Sequence, residues 1–274
     1  MRQLAKAVLP LRWRRLLRHE ITQLPQRLRD LPADLVCLLR PDAFGGPLPP
    51  PGLRSRVGQL SREVFRRVGR EGRDQILSAF ERAREPGREY PNWLDFGCGC
   101  GRIARYLADA NPPVAALYGV DVDPDLVGWA SRNLRGRFAT MRPDPPIDLA
   151  AEAFDAVYAT SIFTHYGERE QDAWLRELAR VLRPGGLFFA TTMAPAMSTR
   201  FPALTAADLD SLAQTGFVCA NPGGAFNARA AFHSQEYLER TWSRFFRFRF
   251  YEAQGFVAFQ DLSVWEKPAA DGGP

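Results

Sequence analysis

Lysine is almost missing from this chain: of 274 residues only Lys6 and Lys267 carry an ammonium side chain, and arginine supplies the rest of the basic complement. So one-sided a choice reflects coding composition more than a surface built for recognition. Cysteine is also scarce. Cys37, Cys98, Cys100 and Cys219 have neither the paired spacing of a zinc site nor the density of a secreted disulfide scaffold, which predicts a reducing, cytoplasmic setting. No predominantly apolar run approaches the ~20 residues of a bilayer-spanning helix, because Pro, Gly or charge interrupts each candidate, so a soluble protein is expected. No internal repeat is present. What remains, 46% hydrophobic and 24% charged residues, suffices for one sizeable α/β core or a core domain with appendages.

Charge is uneven. Residues 1–30 carry eight basic side chains against Glu20 and Asp30, whereas the rest of the chain sums to −1 against a total of +5. This arm is either a solvated helical appendage or a surface suited to peripheral contact with an anionic membrane. It is Arg-rich and acid-poor like a transit peptide, but it runs into patterned sequence without a cleavage-like site. A Pro/Gly-rich linker, Pro41 to Gly52, should be extended and partly polyproline-like. We therefore divide the chain into an arm and linker (1–56), one α/β domain (57–267) and a frayed tail (268–274). Within the domain, leading helices occupy 57–90, a core 91–192, and a C-terminal region with a terminal hairpin 193–267.

Apolar residues recur at helical spacing from Val57 to Arg84, and Gly69 and Gly72 predict a break there, hence two helices. Short apolar runs alternating with helical patterns follow, the signature of βαβ units and a parallel sheet. Strands are predicted at Trp93–Phe96, Leu117–Asp121, Phe138–Thr140, Phe154–Thr160 and Leu187–Thr192. The last follows a helix through Trp174, Leu175, Leu178 and Val181 that stops at Arg183-Pro184-Gly185-Gly186. Phe245–Tyr251 and Phe256–Trp265 read as a terminal antiparallel hairpin, and Ser234 as the cap of a helix carrying Tyr237, Leu238 and Trp242.

The sharpest local signal is Asp95-Phe96-Gly97-Cys98-Gly99-Cys100-Gly101-Arg102, placed between a strand and a helix. Alternate glycines let backbone amides approach a ligand above the strand ends. Asp121, at the end of the second strand and 20 residues after Gly101, can accept bonds from both hydroxyls of a ribose. With Phe154-Asp155-Ala156-Val157-Tyr158 and Leu182-Arg183-Pro184-Gly185-Gly186 in the same order, the region from Leu94 to Thr192 resembles the class I S-adenosylmethionine-dependent methyltransferases. The resemblance implies a doubly wound, mostly parallel seven-stranded α/β sheet of Rossmann-like type and S-adenosyl-L-methionine as cofactor. It further implies that Asp95, Gly97, Gly99 and Gly101 lie near the methionine portion, that Asp121 holds the ribose, that the residues after Tyr158 line the transfer site, and that Val122 and Thr160 belong with these as cofactor-binding residues. The part from Phe232 to Pro268 also looks like bacterial methyltransferases associated with sugar modification.

A nicotinamide dehydrogenase would want glycine where Arg102 stands, and Asp95 suits a cationic sulfonium with an amino group better than a pyrophosphate. The acid that many relatives place after the third strand has no clear counterpart in Thr140–Asp148, so adenine contacts stay unassigned. Asp144-Pro145-Pro146-Ile147 imitates the motif of base-methylating enzymes but precedes the fourth strand and lacks the aromatic residue. With no basic excess in the core, a nucleic-acid partner is not expected.

Methyl transfer from a sulfonium is an in-line displacement, so the protein mainly aligns the acceptor and excludes water. If the acceptor is a hydroxyl of a small molecule or glycan, a neutral imidazole can take its proton. The chain has three histidines. His19 lies in the arm; His165, after the fourth strand, and His233, before a C-terminal helix, are the candidate catalytic bases, each against the alternative of a hydrogen-bonded structural role. No metal is expected. A noncatalytic domain that binds the same cofactor and serves as a partner or sensor is the rival from a different class.

Overall fold

The computed structural model of the protein describes residues 46–58, 61–108, 114–201, 204–221 and 229–269. The basic arm and the terminal tail from 270 onward lie outside the described residues. Two compact units divide the chain, Met1–Arg67 and Val68–Pro274.

In the first unit, helix α1 (Pro51–Arg56) starts inside the stretch expected to be extended linker. Pro51 provides the reason: a proline at the first helical position loses no hydrogen bond and arrives with helical φ. Pro50 before it does keep polyproline-like angles, φ −54° and ψ 153°. Arg54 is buried and donates from Nη1 to the Pro49 carbonyl at 2.8 Å.

Helix α2 (Arg62–Ala83) is continuous, which corrects the two helices expected on either side of Gly69 and Gly72. Those glycines are contacts, not breaks. A Cβ on Gly69 would stand 2.4 Å from the Arg102 carbonyl oxygen and 2.6 Å from the Tyr106 ring, and one on Gly72 would stand 2.9 Å from the Phe256 ring. With Val68, Ile76, Ala79, Phe80 and Ala83 buried, the two form one face at the i, i+3, i+4 spacing that a packed helix needs.

The second unit is built on strands β1 (Asn92–Phe96), β2 (Ala116–Asp121), β3 (Arg137–Thr140), β4 (Phe154–Ala159) and β5 (Leu182–Thr192), followed later by β8 (Arg247–Phe256) and β9 (Gln260–Glu266). They form one seven-stranded sheet in the order β3-β2-β1-β4-β5-β9-β8. The first five are mutually parallel, while β9 runs antiparallel to both β5 and β8. Arg183–Gly186, expected as a turn, belongs to β5: between the pairs Phe154↔Leu182 and Ala156↔Leu187 the register shifts, and the extra residues are carried as a bulge.

Side chains alternate across this sheet as period-2 geometry requires. Leu94, Phe96, Val157, Phe188 and Trp265 face a core shared with helices α5 (Glu168–Val181) and α7 (Gln235–Trp242). Trp93, Tyr158, Leu187, Phe189 and Val264 face the opposite core with α2 and the short helix α3 (Ala104–Leu107). Both faces are thus covered, as a parallel sheet demands. Helix α4 (Pro124–Asn133) is capped by Asp123, whose carboxylate accepts from the amides of Asp125 and Leu126.

Between β5 and α7 the chain makes helix α6 (Ala206–Thr215) and a separate two-stranded sheet of β6 (Phe217–Ala220) and β7 (Ala230–His233). This small sheet leans on the end of β5: Met193 bridges Phe232, and the His233 amide donates to the Met193 carbonyl at 2.8 Å. Neither strand was expected from the sequence, where alternation over four residues is too short to register. Among the described residues no helix is long and apolar enough to cross a membrane.

Candidate functional site

Strand order reverses between β1 and β4, and at such a switch point the loops leaving the two strands diverge, opening a crevice outside their carboxyl ends. The loop after β1 is the glycine turn. Gly97, Gly99 and Gly101 have φ of +79°, +53° and +70°, left-handed values that other residues reach only at a cost. Packing adds a second requirement at two of them: a Cβ on Gly97 would lie 2.1 Å from Ile162 Cδ1, and one on Gly101 2.2 Å from Leu134 Cδ1. The amides of Gly97 and Cys98 both donate to the Val120 carbonyl, at 2.8 and 3.0 Å, which ties the turn to the end of β2.

Asp121 sits where β2 ends and grips the same turn. Its Oδ2 accepts from the Gly99 amide at 2.8 Å and its Oδ1 from the Asp123 amide at 2.9 Å. Burial raises its pKa, and the backbone donors of Asp123 and Gly99 pull it back down. Val122 beside it is 46% exposed, an apolar side chain left open at the rim.

Asp95 lies behind the turn, buried. Burial is the main reason its carboxyl is pushed up to about 7; the Tyr158 hydroxyl opposes the shift, the Asp121 charge adds to it and the Arg102 guanidinium opposes it. Tyr158 is its register partner across β1 and β4, a neighbour that sequence reading could find only once strand order is known. Cys98 and Cys100 are free and buried. Burial drives the Cys98 thiol well up and the Cys100 thiol to about 12, so both stay protonated and fill space.

The loop after β4 brings Thr160, half buried, and then Ile162, which closes over Gly97. A short 3-10 turn, Phe163–His165, follows. His165 is partly buried, and its Nδ1 lies 2.9 Å from the Arg229 carbonyl. A carbonyl can only accept, so Nδ1 carries the hydrogen and Nε2 the lone pair in the neutral ring. Burial lowers the His165 pKa, the Arg229 carbonyl works against that, and the Arg229 charge adds to it. Glu170 orders this corner, pairing with Arg229 at 2.6 Å and accepting from the Gly167 amide at 2.8 Å.

His233 is placed differently. The ring is fully buried, packed against Phe217, Tyr237 and Trp242. Gln171 uses its amide nitrogen to donate to the Tyr166 carbonyl, so its Oε1 accepts from both Trp242 Nε1 and His233 Nε2, each at 3.2 Å. Burial alone pushes the His233 pKa down to about 3. The ring is therefore a neutral donor that joins β7 to α5 and α7, with no solvent-facing surface to offer an acceptor. Gln171, the residue that organises this joint, was missed because an interior glutamine on an amphipathic helix has no sequence signature.

The glycine turn, Asp95, Asp121 and the start of the β4 loop thus converge, while His233 lies in the core. Two carboxyls, Asp95 and Asp121, flank the turn, with the Arg102 guanidinium close to Asp95. Residues 94–190 match the model of the family described as "Methyltransferase domain". Among curated proteins, the chain is similar to the malonyl-[acyl-carrier protein] O-methyltransferase of Enterobacter lignolyticus, 36% identical over 112 residues, or 41% of this chain and 43% of that protein. It is also similar to the ubiquinone biosynthesis O-methyltransferase of Xanthomonas oryzae pv. oryzae, 35% identical over 107 residues, or 36% of this chain and 42% of that protein. The chain spans less than half the length of these two relatives. Among solved structures, a protein of Pyrococcus horikoshii OT3 superposes with a TM-score of 0.55 at 19% identity, covering 76% of this chain and 92% of that one. The fold is that of the class I methyltransferases.

Proposed function

We propose that this chain, whose residues 94–190 form a methyltransferase domain, is an S-adenosyl-L-methionine-dependent methyltransferase acting on an oxygen of a small-molecule or glycan acceptor. One observation carries the reading: the Asp121 carboxylate accepts the Gly99 amide at 2.8 Å, so the ribose acid and the glycine cradle form a single rigid device. That device suits a nucleoside whose other end is cationic. The Asp121 carboxylate would accept from the ribose hydroxyls, Val122 offers an apolar edge to the base, and the Asp95 carboxylate would face the donor's amino group. When bound, S-adenosylmethionine would supply the methyl group on its sulfonium.

The chain's own work is alignment and proton removal. Thr160 and Ile162, leaving β4 beside the glycine turn, border the space where an acceptor must meet the methyl group. His165 has its hydrogen fixed on Nδ1 and a pKa held below the ordinary value, so at neutral pH its imidazole can accept the proton of an acceptor hydroxyl. The names of the two curated relatives, both O-methyltransferases, support an oxygen acceptor, and the absence of a basic excess outside the arm supports a small molecule or glycan over a nucleic acid.

Two measurements test the proposal together. Calorimetry should show binding of S-adenosylmethionine and S-adenosylhomocysteine. Host extract incubated with the protein and isotopically methyl-labelled donor should yield a product that gains the label, seen by mass spectrometry. Binding without any labelled product would favour a noncatalytic cofactor-binding domain, and absence of binding would end both readings.

A further inference from the structure

Ser161 is the first residue beyond the β4 loop's Thr160, and its φ is +60°. Left-handed backbone at a non-glycine residue persists where its surroundings over-determine it, commonly beside functional sites. Here the surroundings are specific. The Ser161 amide donates to Thr191 Oγ1 at 2.8 Å, and Thr191 Oγ1 in turn donates to Gln260 Oε1 at 2.6 Å. The Ser161 hydroxyl donates to the same Gln260 oxygen at 3.0 Å. Thr191 and Gln260 are both buried, one on β5 and the other the first residue of β9, so three strand ends meet in one small network.

Glycine would adopt this φ without help, yet the position holds a serine whose hydroxyl is spent on Gln260. The serine side chain therefore earns its place by fixing the loop. What the fixed φ decides is the next residue: Ile162 is held against Gly97, within the reach of a single Cβ, and the turn carrying His165 starts immediately after.

We propose that Thr191 and Gln260 are positioning residues for the donor site: through Ser161 they set the left-handed turn that seats Ile162 on the glycine loop. They touch no donor themselves. The inference rests on the reading that S-adenosylmethionine occupies the glycine loop, and it goes beyond that reading by assigning donor affinity to two residues on β5 and β9 that no binding motif contains.

The test uses the full chain, with S-adenosylhomocysteine as the calorimetric probe and a thermal melt to check folding. Gln260→Leu and, separately, Thr191→Val should each weaken binding by about tenfold or more, because displacement of a supporting element by about 1 Å is enough to degrade a built site. Thr191→Ser, which keeps the hydroxyl, should bind like the parent. The decisive variant is Ser161→Gly combined with Gln260→Leu: glycine adopts φ +60° without strain and so needs no network to reach it, and affinity should return to within about threefold of the parent. A purely packing role for Gln260 would not be rescued this way. Unchanged affinity in both folded single variants, or a loss that Ser161→Gly leaves in place, overturns the proposal while leaving the donor site intact. If Gln260→Leu does not fold, the same comparison is read in Thr191→Val with and without Ser161→Gly. A parent chain that fails to bind the probe overturns the function itself.

Discussion

Asp95 should make donor affinity depend on pH. Its carboxyl titrates at about 7, so at pH 6 only about one molecule in ten presents a carboxylate, at pH 7 half do, and at pH 8 nearly all do. A ligand whose ammonium pairs with that charge binds the ionised form, and its apparent affinity scales with the ionised fraction. S-adenosylhomocysteine should therefore bind about tenfold more tightly at pH 8 than at pH 6, or about 1.4 kcal/mol. Roughly fivefold of this should come below pH 7 and twofold above it.

The same carboxyl has a cost in stability. Its folded pKa is raised from 3.8 to about 7, so the folded state holds a proton that the unfolded chain gives up, and stability falls as pH rises through that window. The full loss is on the order of 4 kcal/mol. Asp95→Asn should then bind the probe more weakly, show no pH slope between 6 and 8, and melt at a higher temperature than the parent at pH 8 but not at pH 4. Calorimetry and melts at matched ionic strength read all three. A flat affinity profile in the parent, or the parent's slope persisting in Asp95→Asn, would refute the reasoning.

Asp121→Ala should weaken S-adenosylhomocysteine binding by about ten- to a hundredfold, as loss of charged hydrogen bonds worth about 1.5–3 kcal/mol predicts, and should raise amide exchange at Gly99, whose acceptor it removes. His165→Asn should lower turnover of the identified acceptor far more than it lowers donor affinity, and equal loss of both in paired kinetics and calorimetry would remove His165 as a base. Gly69→Ala should lower the melting temperature by several degrees: helix propensity favours alanine by about 1 kcal/mol, but the new Cβ would meet the Arg102 carbonyl at 2.4 Å, and overpacking costs about 1–3 kcal/mol. Gln171→Leu should destabilise the fold by about 1–3 kcal/mol per stranded donor, since it leaves the Trp242 and His233 N–H groups buried without their acceptor; a melt unchanged from the parent would show that those bonds contribute nothing.

Local order along the chain was enough to read the parallel strands, the glycine turn and Asp121, because a βαβ unit keeps its binding residues within a few tens of positions and each follows a strand end. The terminal hairpin was legible from the aromatic–arginine alternation of its first strand and the β-like run of its second, although Phe256, expected to open the second strand, closes β8 instead. Other features depend on which strands become neighbours, and spacing carries no such information. Tyr158 beside Asp95, Ile162 over Gly97, and Gln260 beneath Ser161 all follow from strand order and register. Gly69 and Gly72 look like helix breakers until Tyr106 and Phe256 are seen to need the room. His165 and His233 are equivalent as letters; burial separates them, since solvent and a carbonyl border one ring while Trp242 and Tyr237 close over the other. Chemistry-bearing residue types were thus set by sequence, and their protonation, exposure and partners by tertiary packing, because desolvation and contact are properties of the folded neighbourhood and not of the residue.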